Sequence, residues 1–325
     1  MPWDQKQVPV IELSSLQLSR NTFEQSSQFN GIDPRQFRSL DVAVDQLSVG
    51  SQMLGSLSFE LRPEPSGAAF NNISGNLLGV QPGVFASEAP TEFFWSYDGN
   101  NHSSRMVGPI GIKDVADFMR GFEIPKFLDS QSGKLDVNLS WQAEPWAISK
   151  NNIQGDLRVN LNDGSFYRSS GGAEATLKVI SLLNFANWLR RLKLDFSDVV
   201  GKNLAYNRLD GFLNFNQGVL QLNEPLKIDM PSGKMSMAGE FNLVDETVNG
   251  KLVATLPVGV NLPWLVGLAG GLPAAAGVYI TSKLAQKQVD RLSSISYTLN
   301  GPWDDIEVSV DEIFAAELSS DSASP

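Results

Sequence analysis

The chain has no cysteine and one histidine among its 325 residues. The first absence removes disulfides, thiolate metal sites and cysteine nucleophiles together, and it leaves the compartment open, because cytosolic and envelope proteins can both lack cysteine. The second makes any histidine-based triad depend on His102, which sits in the loop-like stretch Gly99-Asn-Asn-His-Ser-Ser104 with no GxSxG elbow elsewhere. Basic clusters are missing too. Lys and Arg number 25 against 36 Asp and Glu, a formal charge of -11, so the positive footprint that a phosphate backbone requires is not there and nucleic acid is not an expected partner. Met1 to Pro9 offer neither a basic n-region nor an apolar h-region, so those residues read neither as a signal peptide nor as an N-terminal anchor.

Other site chemistry is equally sparse. Asp304, Asp305, Glu307, Asp311 and Glu312 lack the spacing of an EF-hand and alternate like a strand, so they read as a solvated edge. Asp195 and Asp198 follow a helical pattern and read as turn and capping residues. Gly270-Gly271 lies in an uncharged run with neither a strand fingerprint before it nor a suitable lysine after it. No metal, cofactor or catalytic residue is therefore expected, and the chain does not read as an enzyme. The aromatics Trp95, Trp141, Trp146, Trp188, Trp264 and Trp303 could form a sugar platform if exposed together; core packing is the more usual fate of such rings.

What the chain does have is alternation. Between Gly155 and Phe215 a strand places Leu157, Val159 and Leu161 on one face and Asp156, Arg158 and Asn160 on the other. A turn is expected at Asp163-Gly164, a broad apolar helix over about 173–192, and a returning strand at Asp210 to Phe215. The same unit, a glycine followed by alternating apolar residues, recurs at Gly55 to Leu61, Gly133 to Trp141, Gly239 to Leu243 and Gly250 to Leu256. Hairpin-type pairs such as Asp98-Gly99, Asp163-Gly164, Asp210-Gly211, Asn249-Gly250 and Asn300-Gly301 are read as tight turns. Ile112 to Arg120, with Gly121 at its end, reads as a short helix. Further strands are expected at 219–222 and 226–230.

These strands share one habit, an apolar face and a polar one. A seven-residue strand is roughly 23 Å long, so the combined apolar face exceeds what two or three helices could shield. Such a sheet folds on itself or holds something apolar. From Leu252 to Ser282 no residue is charged. Five glycines and three prolines between Pro257 and Gly277 argue against a single membrane-crossing helix. The segment 262–292 is expected to form helices that cap the sheet or touch a membrane, with Leu262, Trp264, Leu265, Leu268, Leu272 and Tyr279 at a membrane-facing tip.

Several runs together resemble a known family: Gly155 to Phe166, Leu182-Leu-Asn-Phe-Ala-Asn-Trp-Leu-Arg-Arg-Leu192, Leu194-Asp-Phe-Ser-Asp198, Leu209-Asp-Gly211, Gly239 to Val244, and Leu256-Pro-Val258 on to Gly277. They resemble the C-terminal AsmA-like region of YhdP-type envelope proteins of Gram-negative bacteria, over at least residues 133–312. The resemblance implies a mainly β fold, a long twisted antiparallel sheet curled into an apolar groove, with helices near 173–192 and 262–292 covering or capping it. It also implies a longer parent chain held by an N-terminal membrane helix, of which these residues are the C-terminal part. The expected organisation is upstream groove repeats over 1–150, the AsmA-like region over 151–313 and a disordered tail over 314–325.

The function so implied is phospholipid transport between the inner and outer membranes, in the periplasm, with acyl chains and membrane surfaces as partners. Acyl chains are expected against Leu135, Val137, Leu139, Leu157, Val159, Leu161, Leu213, Phe215, Phe241, Leu243, Leu252 and Leu256. Two other readings compete: a closed sandwich acting as a non-catalytic scaffold for a protein or glycan partner, and a glycan module with exposed aromatics beside carboxylates.

Overall fold

The structure is a computed structural model that describes residues 8–18, 32–121, 126, 128–167, 203–231, 233–255, 292–303 and 305–315. Within them the alternating segments become one continuous sheet of 16 strands. The first are β1 (Val10–Leu13), β2 (Leu16–Leu18), β3 (Leu40–Val49), β4 (Gln52–Glu64), β5 (Gly67–Leu77), β6 (Val80–Pro82), β7 (Glu92–Tyr97) and β8 (His102–Ile112). They continue as β9 (Leu128–Trp141), β10 (Ile153–Tyr167), β11 (Asn203–Asn216), β12 (Val219–Met230), β13 (Gly233–Asn242), β14 (Thr247–Thr255), β15 (Leu292–Pro302) and β16 (Glu307–Ala315). From β3 onward the ladder is antiparallel and follows the chain closely, with β6 and β7 together filling one position between β5 and β8. The sheet is mixed rather than wholly antiparallel, because β1 and β2 both run parallel to β3. A parallel neighbour needs a crossover rather than a tight turn, and β2 and β3 are separated by a long connection.

Four of the glycine pairs read as turns lie inside strands. Asp163-Gly164, Asp210-Gly211, Asn249-Gly250 and Asn300-Gly301 belong to β10, β11, β14 and β15, while Asp98-Gly99 does make the turn between β7 and β8. At Asp163 the backbone takes φ 51° and the pairings on both sides skip this residue while keeping their register, so it resets which side chains face the core instead of reversing the chain. Gly164 beside it is crowded: a Cβ there would stand 2.1 Å from the Asp129 carbonyl oxygen. Gly164 and Gly250 answer close approach of a neighbouring backbone, Gly211 lies against the Leu226 side chain and Gly301 takes φ 107°, demands that local sequence cannot tell from a turn. The segments 219–222 and 226–230 are likewise one strand, irregular between Gln221 and Leu226.

The expected helix at 112–120 is shorter. Ile112 ends β8, and α1 spans Val115–Gly121 after Asp114, whose carboxylate accepts the backbone N–H groups of Ala116 and Asp117. The expected helices at 173–192 and 262–292 lie outside the described residues, apart from Leu292 at the start of β15.

The two ends of the strands differ. At one end, β4–β5, β7–β8, β11–β12, β13–β14 and β15–β16 are joined by short turns. At the other, the β8–β9, β10–β11 and β14–β15 connections are long, beside the tight β3–β4 and β12–β13 turns. All four tryptophans among the described residues gather at the short-turn end, and Trp95, Trp141 and Trp303 are buried there.

Candidate functional site

Alternation and register together decide what one face of this sheet is made of. Reading across the ladder, Leu135 on β9 pairs with Val159 on β10, Val137 with Leu157, and Leu157 with Leu213 on β11. Phe215 meets Leu220 on β12, which meets Phe241 on β13, and Leu252 on β14 lies between Met237 and Tyr297. The twelve residues expected to contact lipid therefore fall on one face wherever they are described. Leu256 and the expected membrane tip, Leu262, Trp264, Leu265, Leu268, Leu272 and Tyr279, lie outside the described residues.

Their accessibility divides them. Leu135, Leu139, Leu157, Val159, Leu213 and Phe215 are half-buried, whereas Val137, Leu161, Phe241 and Leu243 are buried and Leu252 is 0% exposed. The same face extends across β3 to β8, which the sequence reading did not assign to the site. Val42, Leu57 and Phe59 lie half-buried in register there, and Phe59, Phe70, Phe93 and Trp141 form a file of rings with centroids 5.4–5.8 Å apart. The Gly55-Ser-Leu-Ser-Phe-Glu-Leu61 motif carried the signal for Leu57 and Phe59. Phe70, and Met106 on β8, which pairs with Phe93 and Leu139, sit in stretches without alternation and gave none.

The opposite face is built for water. Arg158 pairs with Glu224 at 3.1 Å and lies over the Phe212 ring, and Lys251 pairs with Asp311 at 2.6 Å. Burial pulls the Asp210 carboxyl upward, but hydrogen bonds from Arg208 and Asn160 outweigh it and hold the group below the usual carboxylate range. Within the core, burial pushes the Tyr206 hydroxyl up to about 12 and the Tyr297 hydroxyl upward as well. His102 accepts a 3.1 Å hydrogen bond at Nδ1 from the Trp95 indole and stacks on Tyr97, so it braces the aromatic end of the sheet. Among the described residues no group of three or more metal-ligating side chains converges, and no helix there is long and apolar enough to cross a membrane.

An apolar face carried from strand to strand from β3 to β16 of one large sheet agrees with the geometry that the AsmA-like resemblance implies. The family model of the YhdP protein matches residues 4–308. The chain belongs to the YhdP family. No curated protein and no solved structure matches it. As a YhdP-family chain it is an AsmA-like protein of the Gram-negative envelope, from a family associated in general with transport and not with catalysis.

Proposed function

We propose that this chain carries phospholipid between the inner and outer membranes, its acyl chains lying along the apolar face of the sheet in the periplasm. The observation that supports this reading is the half-buried stretch of that face from β4 to β11, which combines continuity along the ladder with side chains that still have room for a partner. Apolar area removed from water is worth roughly 25 cal/mol per Å². A face made of similar aliphatic positions strand after strand offers a chain many sites of nearly equal depth, so movement along it meets low barriers. Headgroups stay at the strand ends, near water.

The test is native mass spectrometry with lipid extraction on the chain purified in gentle detergent from a Gram-negative host. Copurifying phospholipid that is lost on Val159→Asp is the expected result. Val159 is half-buried, so the carboxylate can reach water and the fold should persist. A stably folded, lipid-free wild-type chain would overturn the reading and favour a dry scaffold.

A further inference from the structure

At the long-connection end of the sheet, α1, the start of β9 and the end of β10 enclose an open depression of about 720 Å³. Its lining is polar and carries both signs of charge: Lys113, Arg120 and Lys126 with Asp129, Asp163 and Asp114, whose carboxylate is taken up in capping α1, and Tyr206 borders it. Tyr206, Met119 and Leu128 belong to one buried apolar cluster, and the half-buried Leu135 and Val159 of the apolar face pack against that same cluster, so the depression and the face border a common core. Some of these charges are already satisfied. Lys126 lies 3.0 Å from Asp129, and Arg120 holds Asp117 at 2.6 Å while remaining highly exposed. Lys113 and Asp163 form no ion pair among the described residues and are exposed.

We propose that this depression receives the headgroup of a zwitterionic phospholipid, with Lys113 and Arg120 meeting the phosphate, Asp163 meeting the ammonium, and the acyl chains continuing along the half-buried face at Leu135 and Val159. It rests on the reading of the apolar face as a lipid path. An anionic headgroup would find the two cations but leave Asp163 facing like charge. A diacylglycerol would leave both kinds of charge unused. Only a head with a phosphate and an amine uses the whole set.

The experiment compares four probes on the full chain by isothermal titration: phosphatidylethanolamine, phosphatidylglycerol and diacylglycerol with identical short acyl chains, and chain-free glycerophosphoethanolamine. Wild type should bind the ethanolamine lipid about tenfold more tightly than either other lipid. Lys113→Ala with Arg120→Ala, both at exposed positions, should lower it to the diacylglycerol level and leave diacylglycerol unchanged. Asp163→Asn keeps a residue that tolerates φ 51° and should erase the preference over phosphatidylglycerol. Diacylglycerol binding as tightly as the ethanolamine lipid, or no effect of the double variant, overturns the headgroup site while the lipid path stands. Chain-free glycerophosphoethanolamine binding as tightly as the lipid identifies a site for soluble phosphodiesters and overturns the assignment to lipid. Failure of all three lipids to bind removes the path and the site together.

Discussion

Leu57 on β4 and Leu252 on β14 hold equivalent places, each on the apolar face in the middle of a long strand, yet Leu57 is half-buried and Leu252 is 0% exposed. The ladder supplies a reason. Leu57 lies between Val44 and Gly75, so one of its lateral neighbours has no side chain. Leu252 lies between Met237 and Tyr297, and the row runs on to Leu226 on one side and Val310 on the other without a gap. Glycines at positions 55, 75, 108 and 155 notch the apolar face of the upstream strands, all with left-handed φ, whereas in β12 to β16 the notch is confined to the one row where Gly239 meets Gly250, and the rows on either side of it are filled. One sheet thus has a notched section that leaves apolar surface available and a filled section that behaves as an ordinary core.

The largest expected effect follows from that difference. Leu252→Ala should cost about 3–5 kcal/mol, since it removes a fully packed side chain and leaves a cavity, while Leu57→Ala should cost about 1 kcal/mol. Urea unfolding of the two variants measures both, and equal losses would dissolve the distinction. A lipid-based readout sharpens it. With a photo-crosslinking residue placed at Leu57, Leu139 or Leu157, labelled phospholipid should attach; placed at Met237, which is 1% exposed, or at Leu252, it should not. Attachment at Met237 would mean that the filled section opens to lipid after all.

Glycine substitution probes the notches themselves. Gly75 has φ 147°, and a Cβ there would stand 2.2 Å from the Ser56 carbonyl oxygen, so Gly75→Ala should destabilise by about 2–3 kcal/mol. Gly250, in the one unfilled row of β13 and β14, has no left-handed φ, and its nearest carbonyl would be 2.9 Å away, so Gly250→Ala should cost less, about 1 kcal/mol. If the order is reversed, the notches are not enforced by the backbone.

Much of this was legible in the residues, and the parts that were not share a cause. Leu157, Val159 and Leu161 alternate so regularly that strand and face follow from spacing alone, and the run from Gly155 to Phe166 carried the family resemblance. What spacing cannot report is the neighbour across the ladder. Leu157 and Leu252 look alike in sequence, and only register reveals that one is half-buried and the other sealed. Asp163-Gly164 was misread for the same reason, because a residue that tolerates left-handed φ serves a turn or a resetting of the strand faces equally well. The parallel placement of β1 and β2 beside β3 depends on partners distant in sequence, which no local pattern encodes.

The smallest effect separates the two sections by pH. Tyr206, 2% exposed, sits on β11 in the buried cluster that runs on into the filled section, and it donates a 2.6 Å hydrogen bond to the Asp129 carbonyl oxygen. Burial raises its folded pKa to about 12 from the ordinary 10.0, so between those values the folded chain holds a proton that the unfolded chain has lost. The stability this group contributes is therefore complete below pH 10 and declines as pH climbs through about 12, by up to about 1.4 kcal/mol per pH unit. Tyr206→Phe gives up the hydrogen bond at neutral pH, a loss of about 1 kcal/mol, but has no phenol there to ionise. Urea midpoints measured from pH 8 to pH 12 should fall more steeply for the wild type than for the variant, so the gap between them narrows with alkalinity. Parallel curves would show that the phenol ionises with equal ease folded and unfolded, and the section around Tyr206 would then be far wetter than its packing implies.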